Sequence, residues 1–174
     1  MKKKAGKLAN LILRYIILLV LGLAIPLFYK TLLPLTFYPS YFLLKIFYPV
    51  YTSCVNCLTI NGINIIIADA CVAASAYYLL LILNLSTDMN ARQRGYSLLF
   101  SIFSLLVLNV LRIVFIAILY VSNFTYADIV HNLVWHVFSI IFVIGIWFFS
   151  SWLFKIKNIP VWTDLRKIKK LNKS

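Results

Sequence analysis

Acidic side chains are almost absent from this chain. Four aspartates and glutamates face seventeen lysines and arginines over 174 residues, giving a formal charge of +13. Charge of either sign is itself scarce, at 12% of residues, while 63% are hydrophobic and the mean hydropathy is +0.95. Soluble domains are already about half apolar, so a soluble domain of this size is excluded and lipid must solvate much of the surface. No internal repeat and no low-complexity segment is present. No stacking platform or recognition motif accompanies the basic residues, which excludes a nucleic-acid reading of the charge. The first apolar run, from Leu11 to about Tyr29, is long for a signal h-region and no A-x-A site follows it, so it reads as a retained signal anchor. Cysteine is also rare. Cys54, Cys57 and Cys71 form an odd set, and a Cys54–Cys57 pairing in an oxidising compartment leaves Cys71 as a free thiol. No second C-x-x-C follows the first, so Cys54, Cys57, Cys71 and His131 make only a loose zinc set, and no metal or other cofactor is expected.

The basic residues are present in abundance and are clustered. Fourteen of the seventeen fall in three groups: Lys2, Lys3, Lys4, Lys7 and Arg14; Arg92 and Arg94; and Lys155, Lys157, Arg166, Lys167, Lys169, Lys170 and Lys173. Cytoplasmic flanks of membrane spans carry this bias, and it also draws the chain to anionic lipid heads. Four apolar runs approach the ~20 residues that cross ~30 Å of hydrocarbon: about Leu11–Phe28, Asp69–Leu85, Tyr96–Val121 and Tyr126–Phe154. With the N-terminus, the Arg92/Arg94 loop and the C-terminal tail inside, the spans alternate outward and inward. The stretch Thr31–Val50 is apolar but interrupted by Pro34, Pro39 and Pro49. Pro39 reads as a helix start and Pro49 as a stop, leaving ~15 Å of helix, too short to span. Lys45 within it fits an interfacial or re-entrant helix. The run Leu58–Ile65 holds Asn61-Gly62 between β-branched residues, the strongest short hairpin signal.

The expected fold is therefore an all-α polytopic membrane protein with about four transmembrane helices, a short interfacial or re-entrant helix and a small extracytoplasmic β-hairpin. It forms a single membrane domain over residues 1–174. Residues 1–10 are a cytoplasmic basic N-terminus, 31–57 interfacial, 58–66 the hairpin, 69–154 the helices that carry chemistry, and 155–174 a cytoplasmic basic tail.

Ionisable residues inside apolar spans are costly, and each is a functional candidate. Cys71 lies about two residues below the outer end of its span. His131 lies ~7 Å deep and Arg112 ~13 Å at helical rise, and an arginine side chain reaches several Å upward. A thiol attacks a carbonyl carbon as its thiolate, which a neighbouring cation or a helix N-terminus favours. His131 has the chemistry to take the thiol proton and return it to a leaving amine. Arg112 keeps its charge and can hold an oxyanion. A buried cysteine can equally be a small hydrophobe, His131 an interface anchor, and Arg112 a structural hydrogen-bond donor. His136 competes with His131, but five residues at ~100° each put the two about 140° apart on a helix. Asp69 and Asp128 are the acids expected outside. Asp128, at i−3 from His131, can orient the imidazole or serve the helix dipole. Asn109, at i−3 from Arg112, can steady the guanidinium.

Three short stretches in order carry a resemblance: Ile66-Ile67-Ala68-Asp69-Ala70-Cys71, then Asn109-Val110-Leu111-Arg112-Ile113, then His131-Asn132-Leu133-Val134-Trp135. Together, over roughly residues 35–150, the chain resembles the exosortase/archaeosortase family of membrane cysteine transpeptidases. The resemblance implies a Cys71 nucleophile with Arg112 and His131 as its partners. It implies substrates that are exported proteins bearing a C-terminal apolar helix and basic tail, which are cleaved and moved to another anchor. It also implies a multi-pass protein of the cell membrane with its site on the extracytoplasmic side. Val72 stands where many members carry a small residue.

Overall fold

The computed structural model describes residues 2–87 and 89–156, so Asp88 and the basic tail from residue 157 onward lie outside the described residues. The protein is mostly helical with one small sheet. In chain order the elements are α1 (Lys2–Leu23), α2 (Ile25–Phe47), β1 (Val50–Cys54), β2 (Cys57–Ile60), β3 (Ile63–Ile66), α3 (Asp69–Val72), α4 (Ala74–Ser86), α5 (Ala91–Val121), α6 (Ala127–Leu133), a π-helical turn (Val134–Phe138) and α7 (Ser139–Leu153). Two of the helical stretches, Ala91–Val121 and Ala127–Leu153, are long and apolar enough to cross a membrane. A third crossing is reached if α1 and α2, bent by 65° at Ala24, act as one span, and 70–86 is a shorter apolar helix.

The proline-rich stretch departs from its expected form. A ten-residue helix starting at Pro39 is not what forms: α2 begins at Ile25 and runs through both Pro34 and Pro39 before stopping ahead of Pro49. Hydroxyls add side-chain bonds along the same stretch. The Thr36 hydroxyl donates to the Leu32 and Leu33 carbonyls at 2.9 and 3.0 Å, and Ser40 donates to Thr36 O at 2.7 Å. The carbonyls that lose an amide donor are those of Lys30 and Leu35, four residues before each proline, and these hydroxyls bond other carbonyls, so it is packing that carries the helix through both prolines. Leu32, Thr36, Ser40 and Leu44 are buried at four-residue spacing, so one face of α2 is fully packed.

The expected hairpin is present, as β2 and β3 pair antiparallel around Asn61-Gly62, and β1 adds a third strand in the order β1-β2-β3. Asn61 and Gly62 both take positive φ, 51° and 82°, the two-residue turn that matches strand twist. Across the other turn, Cys54 and Cys57 form a disulfide. Leu58 and Ile60 of β2 pack with Phe37 and Leu44 of α2 and with Val110, Ile113, Val114 and Ala117 of α5. The sheet thus caps one end of α5.

The polar segment 86–95 also differs from a plain loop. Helix α5 starts at Ala91, five residues ahead of the expected Tyr96, because Asn90 and Gln93 form a reciprocal capping box. At this end Gln93 donates to Phe154 O at 3.3 Å and Arg94 to Thr87 O at 3.1 Å, tying α7 and α4 to the α5 start.

Candidate active site

The apolar helix expected over residues 69–85 does not run unbroken. Ala73 adopts the left-handed conformation (φ 59°, ψ 34°) and separates the one-turn α3 from α4. Cys71 sits just ahead of this break rather than in the first turn of a long helix. In a continuous helix the carbonyls of Cys71 and Val72 would accept from amides four residues on. The break diverts the Ala76 amide to Ala73 O at 2.9 Å, and α5 supplies side-chain donors to both carbonyls. Asn109, buried, donates to Cys71 O at 2.9 Å and to Val72 O at 3.4 Å, and Arg112 Nη2 donates to Cys71 O at 3.0 Å. Asn109 therefore serves the same carbonyl as Arg112, rather than the guanidinium itself.

The other guanidinium nitrogen, Nη1, donates to Ser139 Oγ at 2.8 Å. Ser139 is eight residues beyond His131, which on an α-helix puts them about 80° apart. The π turn absorbs one extra residue, and seven effective steps bring them within about 20°. That insertion is what turns both His131 and Ser139 to the Arg112 side. Ser139 Oγ itself donates back to Val134 O at 3.5 Å, five residues earlier.

Cys71, Arg112 and His131 line a single cavity of about 270 Å³, between β3 with Ile67 on one side and Ile113, Ile116, Ala117 and Tyr120 of α5 on the other. Cys71 is a free, half-buried cysteine. The Cys54–Cys57 disulfide removes those sulfurs from the candidate zinc set. Tyr120, which the sequence pattern does not single out, bridges the remaining groups. Its hydroxyl donates to Asp128 Oδ1 at 2.6 Å and stands 3.4 Å from His131 Nδ1, with the two rings edge to face. Asp128 thus reaches His131 through a tyrosine and not directly. Because the Tyr120 hydrogen is committed to the carboxylate, its oxygen can only accept from the imidazole. That selects the Nδ1–H tautomer and leaves Nε2 as the basic nitrogen. His136 lies apart from the cavity: its Nδ1 is 2.9 Å from Asn132 O and its ring stacks edge-on against Trp135. The side chain of Asp69 lies outside the described residues.

Sequence reasoning missed Tyr120 and Ser139. Tyr120 is one of several aromatics near a span end and carries no distinguishing spacing, while Ser139 acquires its position only through the π turn. Compared with protein-family models, curated proteins and solved structures, the chain matches none of them.

Proposed function

We propose that this chain is a membrane cysteine transpeptidase of the exosortase/archaeosortase kind. It crosses the membrane four times, with α1–α2 as a bent outward span, α3–α4 inward, α5 outward and α6–α7 inward. One observation carries the reading: a thiol, a guanidinium and an imidazole from three separate helical segments line the same cavity. The disulfide beside that cavity supports an oxidising, extracytoplasmic location. Arg92 and Arg94, at the far end of α5, fit the cytoplasmic side.

The substrate is an exported protein whose C-terminal apolar helix lies in the bilayer and ends in a basic tail. An apolar groove of about 560 Å³ between α5 and α7, lined by residues such as Phe103, Val107, Ile141 and Gly145, suits such a helix. In the reaction His131 Nε2 takes the Cys71 proton and the sulfur attacks the scissile carbonyl carbon. The guanidinium of Arg112 holds the oxyanion with N–H hydrogens that Cys71 O and Ser139 do not use. Collapse breaks the C–N bond, the proton on His131 goes to the departing amine, and a thioester remains. An acceptor amine or lipid head group then attacks the thioester, gives its proton to His131, and the thiol is restored as that proton returns to sulfur. No electrons are gained or lost.

A second reading has its own support. Both hydrogen bonds drawn from Arg112 are structural, to a backbone carbonyl and a serine, as in a non-enzymatic transporter or assembly subunit. The two readings part on paired variants. Cys71→Ala is expected to accumulate uncleaved exported precursors at an unchanged level of folded protein. Normal processing in that variant, with collapse confined to Arg112→Ala, would overturn the enzymatic reading.

A further inference from the structure

Strand β3 is an edge of the sheet, paired on one side only, with β2. Ile63, Asn64, Ile65, Ile66 and Ile67 all line the Cys71 cavity. Successive side chains of a strand point to opposite faces. A cavity that touches five consecutive residues therefore runs along the strand's edge, not over one face.

The turn determines which main-chain groups face that edge. A two-residue loop closes on a hydrogen-bonded pair, here Ile60 with Ile63, and antiparallel pairs then alternate between bonded and non-bonded. Ile63 and Ile65 turn their N–H and C=O toward β2, whereas Asn64 and Ile66 turn theirs to the cavity side. Both Asn64 and Ile66 are exposed. Among the described residues, no turn or loop backbone bond engages either of them. An unpaired edge of this sort is a template for an added strand.

We propose that the segment of substrate polypeptide just outside the membrane adds to β3 as a fourth strand. It hydrogen-bonds to the main chain of Asn64 and Ile66 and lays its scissile peptide beside Cys71. The inference rests on the reading of Cys71 as nucleophile. Its consequence is positional. The edge offers donors and acceptors at every second residue, so a bound strand shifts only in two-residue steps. The cut is then set by main-chain register, and alternate substrate side chains press on Ile113, Ile116 and Ala117, which favours small apolar residues there.

The test uses the full-length protein in native membranes and a generic strand-forming probe, acetyl-Thr-Val-Thr-Ala chloromethyl ketone. The Cys71 sulfur displaces chloride from this probe, forming a thioether. A twin peptide, N-methylated at alternate amides, keeps the electrophile but cannot donate along an edge. Iodoacetamide measures the same thiol without any strand, and Cys71 is the free cysteine it reads. The methylated peptide is expected to label about tenfold more slowly, as suits the loss of a pair of hydrogen bonds, with iodoacetamide as the common reference. Ile66→Pro removes an edge N–H without touching the β2 ladder. It should slow the unmethylated peptide to a similar extent and leave iodoacetamide unaffected, and Asn64→Ala should change neither. Equal rates for the two peptides, or iodoacetamide labelling without peptide labelling, would overturn strand addition alone. Failure of Cys71 to react with any of the three reagents would overturn the nucleophile reading, and strand addition with it.

Discussion

Arg112 meets Cys71 through the cysteine's main-chain oxygen, and Asn109 meets the same atom from the next turn of α5. The two donors hold the segment that carries the thiol, so the position of the sulfur depends on residues that need not touch it. Asn109 is 3% exposed. Asn109→Ala leaves the Cys71 and Val72 carbonyls short of a donor in an apolar interior, which costs about 1–3 kcal/mol. Thermal unfolding in detergent should register that loss, and the rate of Cys71 alkylation should change with it. An unchanged melting temperature would remove Asn109 from this role. Tyr120 acts at one remove, as a positioning residue between Asp128 and His131. Tyr120→Phe keeps the ring against the imidazole and deletes only the hydroxyl, so stability is expected to hold. The pH dependence of Cys71 alkylation should move in this variant and stay put in Tyr126→Phe, whose ring packs on Phe124 instead. A pH profile identical to that of the unaltered protein would mean that the hydroxyl does not tune the base.

At the scale of elements, two irregularities build the site: the break at Ala73 and the π turn at Val134–Phe138. The break stores strain, because alanine in the left-handed region costs about 1–2 kcal/mol that glycine avoids. Ala73→Gly is therefore expected to raise the melting temperature, and Ala73→Val to lower it, with calorimetry as the check. A fall with glycine would show that the turn is not strained. Removing Val137 should leave a regular helix in which His131 and Ser139, now seven residues apart, stay within about 20° of each other. Processing should then persist, in contrast to its fall in Ser139→Ala, and its loss in the deletion would show that the π turn does more than set this register. These same irregularities mark the limit of what the sequence makes legible. The hairpin is readable because Asn61-Gly62 has a single strong local preference. The gathering of Cys71, Arg112 and His131 is readable because depth along a helix is simple arithmetic. Pro34 and Pro39 mislead because the packing of Leu32, Thr36, Ser40 and Leu44 that carries the helix through them is tertiary and leaves no local signal. Ala73 gives no warning at all, since alanine is the best helix former and tertiary bonds to α5 impose its conformation.

Taken whole, the molecule has two polar clamps in opposite halves of α5. One is the site, where Asn109 and Arg112 reach α3 and the start of α7. The other is buried near the Arg92/Arg94 end, where the Ser97 hydroxyl bonds both Asn84 and Ser150 and so joins α4, α5 and α7. Between them the contacts are almost wholly apolar, through residues such as Leu80, Leu105 and Val143, and lipid supplies no hydrophobic drive to hold such helices together. The clamps therefore set the register of the bundle and, with it, the depth of the site. Sidedness can be read from the ends of α5, which lie ~46 Å apart at helical rise, more than the hydrocarbon thickness. In a Cys71→Ala background, with Cys54 and Cys57 paired, a single introduced cysteine reports which end faces out. Asn123→Cys, in the exposed turn after α5, should react with an impermeant maleimide in intact cells. Arg92→Cys should react only once the membrane is permeabilised. The opposite pattern would turn the bundle over, put the Cys71 cavity on the cytoplasmic side, and leave exported proteins with no route to it.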